Sequence, residues 1–247
     1  MNIMQLDKAI VWEGKSLIDG ANIVAIISGM RGTSSNDKTG NMAQVTIIRS
    51  DLHPWEAITQ DLDYSICGSC PMRRTWNESK QKYERICYVN PIYGPSAQYK
   101  AYASDKYVRI SPSTASQILK RRGIGVRGGT YGDPAMIPFE FWDDLLKHAP
   151  YHTMYTHQWK EKAFFDNRIF KYAMASIDHI NTVEELREMH GAVRHYRVAQ
   201  HYNEIAQDEV KCPSKNNSGD RVVTCSQCKL CSGSAKTAKS IVIVEND

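Results

Sequence analysis

No stretch of this 247-residue chain is apolar for long enough to cross a bilayer. The longest apolar runs, ANIVAII and SIVIV, stop far short of the ~18–20 residues that a spanning helix needs. The N-terminal stretch MNIMQLDKAIVWEGK lacks a basic region followed by an apolar segment and a small-residue cleavage site, so the cytoplasm is the expected compartment. No P-loop, dinucleotide fingerprint, HExxH motif or Gly-x-Ser-x-Gly elbow is present, and no internal repeat is evident. Charge of one sign is also scarce: 31 basic against 27 acidic residues leave a net charge of +4, a weak argument for nucleic-acid binding. The cysteine count is seven, an odd number. In a cytoplasmic chain that argues against a disulfide framework, because thiols there stay reduced unless they bind metal or catalyse.

What remains is an ordinary globular composition, 42% hydrophobic and 23% charged, in a chain long enough to bury a substantial core. NIVAIIS and AQVTIIR, rich in Val and Ile, read as strands flanking the polar segment MRGTSSNDKTGN (30–41). HPWEAITQ (53–60) reads as a short helix with proline in its first turn. The section through Cys67, Cys70 and Cys87 reads as loop. GPSAQYKAYASD (94–105) and SPSTASQILKRRG (111–123) read as helices, the second closed by glycine. A βα rhythm follows: GIGVRGGTYGD as a strand and its exit, PFEFWDDLLKHA (138–149) as a helix, TMYTHQ (153–158) and KYAMASI (171–177) as strands. TVEELREMHG (182–191) is a helix opening on a capping box, AVRHYRVA (192–199) a strand, and SIVIVEN (240–246) the last strand. The alternation predicts one α/β domain over 1–247, a mainly parallel sheet in a (β/α) barrel-like or partial-barrel arrangement with helices around it. A cysteine-rich segment lies at 210–235, and an open doubly wound sheet is the alternative.

The cysteines fall into two groups. Cys67, Cys70 and Cys87 are separated by two and then sixteen residues; Cys212, Cys225, Cys228 and Cys231 by twelve, two and two. Thiolates are soft ligands suited to zinc or iron–sulfur clusters. The C-x₂-C-x₂-C run is part of a ferredoxin pattern and favours a 4Fe–4S cluster over zinc, with Cys212 as fourth ligand. The first group supplies three thiolates and leaves one coordination position for substrate, water, His53, His157 or an aspartate. One shared centre or two separate ones are both compatible with the spacing.

In order along the chain stand NDKTGNM (36–42), ICGSCP…CYVN, VRGGTYGDP (126–134), MYTHQW (154–159) and CP…TCSQCKLCSG, with SIVIV closing. Over residues 36–245 this resembles a family of bacteriophage cysteine-motif proteins. Its members share a three-cysteine segment ending in CY, a strand ending in a Gly-Asp turn, a Tyr-Thr strand and a CxxCxxC tail. That family is in turn similar to the radical S-adenosylmethionine enzymes. The resemblance implies a barrel-like fold with iron–sulfur binding at the C-terminal ends of its strands, in a host cytoplasm, and it places Asn36 and Lys38 at a cofactor. The radical enzymes use CxxxCxxC with a glycine-rich motif after it. The different spacing here, without that motif, weighs against S-adenosylmethionine as a ligand.

Other chemistry-bearing positions are few. Asp133 ends the glycine-rich strand exit and either faces the functional rim or caps the next helix. His157 shares a strand face with Tyr155, opposite Thr156 and Gln158, and is a candidate ligand or proton carrier. Arg127 and Lys160 are candidates for binding an anionic substrate, and Arg127 also for binding a cofactor. The leading expectation is therefore an iron–sulfur protein with an open cluster for redox, radical or sulfur chemistry. The alternatives are a zinc-stabilised nucleic-acid-binding protein using Arg73, Arg74, Lys120–Arg122, Trp76 and Tyr83, or a non-catalytic host-interaction protein with a structural metal.

Overall fold

The computed structural model describes residues 5–32, 37–214, 222–234 and 237–245. Asn36 lies outside them. The fold is mixed α/β, built on two five-stranded sheets and one two-stranded ribbon. The first sheet has the order β1 (Ala9–Lys15), β2 (Asn22–Ser28), β3 (Met42–Arg49), β6 (Gly125–Tyr131) and β7 (His152–Thr153). The second has the order β11 (Glu209–Lys211), β12 (Ser240–Val244), β10 (His195–Ala199), β9 (Met174–Ser176) and β8 (Tyr155–Thr156). The ribbon pairs β4 (Arg74–Asn77) with β5 (Lys82–Arg85).

Apart from the antiparallel β4–β5 ribbon, the expectation of a mainly parallel arrangement holds from β3 onward, where β3–β6, β6–β7 and every pair of the second sheet are parallel. It fails at the N-terminus. There β1, a strand in a stretch where sequence pattern had marked none, runs antiparallel to β2, and β2 antiparallel to β3. The reason is connection length: the few residues between β1 and β2 allow a turn but not a crossover helix. Among the described residues no pairing joins β1 to β11, and the outer edge of β1 is instead met by Arg109 in a single bridge.

Strands β7 and β8 are one run of chain interrupted at Met154, whose carbonyl accepts from Met174 N at 2.9 Å. The chain thus leaves the edge of the first sheet and enters the edge of the second within a single residue. That junction, and not a long linker, brings the two sheets' cysteine loops together.

Burial explains the apolar runs. Residues Ile23 to Ile27 of β2 are all at most 1% exposed, so both faces of this strand are covered and the sequence shows no alternation. Over the first sheet lie α4 (Pro112–Arg122) and α5 (Phe139–Leu146), which bury Ala115, Ile118 and Leu119 and Phe141, Trp142 and Leu145 in the same core. Helix α4 has the ends its sequence predicts: Ser111 Oγ accepts from Thr114 N at 3.1 Å, and Gly123 closes it at φ 66°. Its Arg122 reaches Leu6 O and Met30 O, so this member of the basic KRRG stretch ties the helix to the first sheet. Helices α1 (Pro54–Thr59), α2 (Tyr64–Cys67) and α3 (Gly94–Ala103) lie beside β3. Helix α6 (Val183–His190) covers the second sheet through Val183 and Leu186. The capping box expected at its start is not made: Thr182 already has helical torsions, and its hydroxyl donates to His179 O. No helix among the described residues is long and apolar enough to cross a membrane.

The second sheet carries a buried ionic lock. Glu209, on β11, accepts from Arg197 Nε at 2.7 Å and Nη2 at 2.8 Å, and its Oε1 lies 2.8 Å from His195 Nε2. All three side chains are at most 3% exposed. Burial alone would raise the Glu209 carboxyl, but the hydrogen bonds from His195, Arg197 and the Ala206 amide outweigh it and hold its pKa down to about 2, against an ordinary value of 4.5. A folded-state pKa below the unfolded one stabilises the fold at pH above about 4.5, and that contribution is lost as pH falls towards about 2. Glu209→Gln should remove about 3 kcal/mol, because it leaves the Arg197 charge buried without its partner. Chemical denaturation at pH 7 checks this, and the difference between variant and native protein should shrink in acid.

Candidate functional site

The first cysteine group is assembled from one turn and one hairpin. Cys67 ends α2, and Gly68 reverses the chain at φ 52° so that Cys70 N reaches back to Cys67 O at 3.1 Å. The sixteen residues before Cys87 are not loop, as their sequence suggests, but the β4–β5 hairpin. Its base closes where Cys87 N donates to Met72 O at 3.0 Å. The sequence spacing is thus the length of a hairpin whose two ends must meet.

Two buried side chains hold this turn. Gln158, 0% exposed, accepts from Ser69 N at 3.1 Å and Ser69 Oγ at 3.2 Å, and donates to Cys67 O at 2.9 Å. A Cβ on Gly68 would sit 2.1 Å from Gln158 Oε1, so only glycine allows this approach. Arg73 meets the buried Asp63 at 2.7 Å and donates to Gly68 O at 3.2 Å. Cys67 is pushed well above the ordinary thiol value by burial first, then by the charge of Asp63 and the neighbouring Cys70 and Cys87, with Arg73 opposing.

His157 and Asp133 complete the surroundings. His157 Nδ1 is 3.5 Å from Cys70 Sγ, and Nε2 is 3.7 Å from Asp178 Oδ1. Burial disfavours the imidazolium, but the interactions with Asp178, Cys70 and Asp133 together prevail and push its pKa up to about 10. Asp133 Oδ1 accepts from Thr156 Oγ1 at 2.7 Å and Ala135 N at 2.9 Å, while Oδ2 accepts from His157 N at 2.8 Å. It caps the 3-10 turn Pro134–Met136 and simultaneously fixes the backbone that carries His157. Its own pKa is raised by burial against these three hydrogen bonds.

The second group lines one cavity. Cys212, Cys225, Cys228 and Cys231, with Thr153, Thr224 and Lys229, line a small, partly open cleft. Cys212 extends β11 beside β12 through its amide to Val242 O at 2.7 Å. Cys225 and Cys228 bound the short helix α7 (Cys225–Cys228), which opens on a capping box between Thr224 and Gln227 and is left at Lys229 with φ 57°. The polar loop before β3 clamps it: Cys225 N donates to Lys38 O and Ser226 N to Thr39 O, both at 3.0 Å. Gly40, at φ 65°, lies so close that a Cβ would stand 2.4 Å from Ser226 Oγ. Burial pushes the Cys231 thiol up to about 12, although the Tyr155 hydroxyl donates to its sulfur. Cys225 is raised by burial and by Cys212, and drawn back by Arg127 and Lys38.

The two groups adjoin. Tyr155 and His157, on one face of the β8 segment, touch Cys231 and Cys70 respectively. Tyr88, next to Cys87, is hydrogen-bonded to Arg127, whose charge acts on Cys225. Arg127 and Lys38, expected to bind a cofactor, are therefore the cations of the second cysteine group. His53 is at neither centre: its Nδ1 caps α1 by accepting from Trp55 N, and its ring meets Tyr99 edge-on. Lys160 is taken up by Glu185 at 2.6 Å and stands over Trp159. The positions that sequence reasoning left without a role are Gln158, Tyr131 and Tyr196. Only Gln158 carries a sequence signal, being polar in a strand-end pattern.

Among the described residues no three His, Cys, Asp or Glu side chains are gathered closely enough to hold a single metal ion. Both centres nevertheless hold buried polar atoms without a hydrogen-bond partner. Tyr131 Oη, near Cys67 and Cys87, and Arg85 Nε, near Tyr131, flank the first, and Ser232 Oγ, next to Cys231, flanks the second. Such orphans are rare in folded proteins, and a group bound at either centre would supply partners for these. Together with a soft donor set of cysteines lining one cleft, they fit a bound group held by thiolates. Comparison with known protein families, with characterised proteins and with solved structures finds no match to this chain.

Gln158→Leu should cost about 1–3 kcal/mol, since it leaves the part-buried Cys67 carbonyl and Ser69 amide without their partner. Denaturant unfolding checks the loss. Faster alkylation of Cys67 and Cys70, followed by mass spectrometry, checks that the loss is local to the turn.

Proposed function

We propose that this chain is an iron–sulfur protein of the bacteriophage type that its motifs resemble, with two adjoining cysteine centres on a barrel-like α/β scaffold. The observation that carries this reading is the convergence of Cys212, Cys225, Cys228 and Cys231, from two separate stretches of chain, on one cleft. Cys212, Cys225, Cys228 and Cys231 would hold one 4Fe–4S group with every iron ligated by protein. Cys67, Cys70 and Cys87 would hold the second and leave one position open. Such groups supply one-electron chemistry and, at an iron without a protein thiolate, a place for an external ligand; the reaction class is redox, radical or sulfur chemistry on a substrate not yet identified.

The chain's own residues have defined tasks in this reading. Arg127 and Lys38 offset thiolate charge at the second centre, and the Tyr155 hydroxyl donates to Cys231. At the first centre Gln158 and Arg73 set the turn, Asp133 fixes the His157 backbone, and His157 holds a proton within reach of Cys70. Were a cluster bound there, His157, with its imidazole beside Asp178, would be the group able to give or take a proton next to it.

A second reading, zinc at the first centre, has one observation in its favour. Zinc–sulfur and zinc–nitrogen bonds of about 2.3 and 2.0–2.1 Å give a tetrahedral S···N edge of about 3.5 Å, and Cys70 Sγ and His157 Nδ1 are 3.5 Å apart. That set would close the coordination sphere and make the site structural.

Anaerobic purification should yield a brown protein containing iron and acid-labile sulfide, with a paramagnetic signal after reduction. Cys231→Ser should lower the iron content at the second centre and Cys70→Ser at the first, each leaving about half. A colourless protein carrying only stoichiometric zinc refutes the iron–sulfur reading.

A further inference from the structure

The β4–β5 hairpin stands between Cys70 and Cys87 as a ribbon with no third strand among the described residues. Its register pairs Arg74 with Arg85 and Trp76 with Tyr83, so these four side chains share one face. The other face carries Thr75, Asn77, Lys82 and Glu84. Trp76 and Tyr83 meet edge to face at 5.1 Å, and the Arg74 guanidinium lies 3.8 Å from the Tyr83 ring centre. Both rings are exposed, at 44% and 56%, and just beyond Cys87 Tyr88 and Tyr93 are exposed at 76% and 73%.

The ring pair and the Arg74 contact stabilise the ribbon across its strands by only about 0.2–1 kcal/mol each. A two-stranded ribbon of four-residue strands is marginal by itself, and this one is anchored at its base by polar contacts, Arg73 to Asp63 and Arg74 to Thr59 O. Its rings are left in water. Charge says what covers them: residues 73–85 hold five basic against two acidic side chains, in a chain whose overall excess is only +4. Arg73 is paired with Asp61 and Asp63, and Lys80 and Lys82 share Glu84 on the opposite side, so the cations beside the rings are Arg74 and Arg85. Flat π-faces flanked by guanidinium groups suit unpaired bases and the phosphates that join them. A duplex hides its base faces and offers this ribbon only phosphate.

We propose that the hairpin, with Tyr88 and Tyr93, is a platform for single-stranded nucleic acid. Bases stack on Trp76 and Tyr83, and the strand is laid beside the Cys67/Cys70/Cys87 centre. The role of that centre in acting on the bound strand rests on the iron–sulfur reading above; the binding itself does not.

Fluorescence anisotropy of the full chain with a labelled oligodeoxythymidine of about 15 nucleotides tests the assignment. Binding should be tighter than to a duplex of equal length and should weaken steeply with salt. Trp76→Ala/Tyr83→Ala should lose about tenfold or more in affinity with the salt slope retained, while Lys80→Gln/Lys82→Gln should lower the slope. Thermal melting and iron and sulfide content, measured on the same preparations, should not change. No binding at low salt, or affinities indifferent to both double variants, overturns the proposal and leaves the face to a protein partner. Oligonucleotide binding by a protein that proves to contain only zinc upholds the platform and refutes the cluster instead.

Discussion

The alternation of side chains along four residues, Tyr155 to Gln158, is the constraint on which both cysteine centres depend. A strand sends successive side chains to opposite faces. Here that rule delivers Tyr155 to Cys231 and His157 to Cys70 on one face, and Thr156 to Asp133 on the other. Gln158, just past the strand, reaches the Cys67 turn. The segment is held from below by Asp133, which is buried and engages Thr156 Oγ1 and His157 N together. A one-residue slip would remove all four contacts at once. The segment also lies at the point where the chain passes from the first sheet to the second, so the two centres are neighbours because their sheets are.

Electrostatics and burial set the character of each centre. Cys67, half-buried, and Cys231, buried, are thiols with pKa values raised by desolvation and by their fellow cysteines, an arrangement unfavourable to thiolates in isolation. Each centre has cations within reach: Arg73 at the first, Arg127 and Lys38 at the second. Thiols that are costly to ionise, beside cations and orphaned polar atoms, make sense as ligands whose deprotonation is driven by what they bind. The first centre differs in having a histidine that bridges Cys70 and Asp178, and in opening towards an exposed aromatic ribbon. The second is enclosed by α7, the Lys38 loop and the Tyr155–Tyr196 ring pair, 4.6 Å apart. The histidine and the exposed ribbon thus both stand at the first centre, and the buried Cys231 at the second.

Much of the element pattern was legible locally. Val- and Ile-rich runs became β2 and β3, Ser-Pro and glycine signals bounded α4, and Pro-Phe-Glu-Phe-Trp opened α5, because capping and burial are written in neighbouring residues. Strand direction was not legible, since a run buried on both faces has no pattern that distinguishes parallel from antiparallel neighbours. The β4–β5 hairpin was missed because its four-residue strands are largely polar and its turn, Glu78 to Gln81, lacks a glycine. His53 looked equal to His157 as a ligand candidate. Only the placement of α1 showed that its imidazole is used as a helix cap.

By itself, then, the sequence determined the chemistry available: seven thiols in two motif-like groups, a mixed α/β chain, and an aspartate and a histidine at strand ends. Those follow from residue type and spacing, which act over a few positions. The tertiary structure alone decided which thiols share a cleft, that Arg127 and Lys38 serve the second group, that Gln158 pins the first, and that sixteen intervening residues form a ribbon. Each of those is a contact between residues far apart in the chain, set by sheet order and by the single residue that joins the two sheets. No local spacing encodes a meeting of that kind.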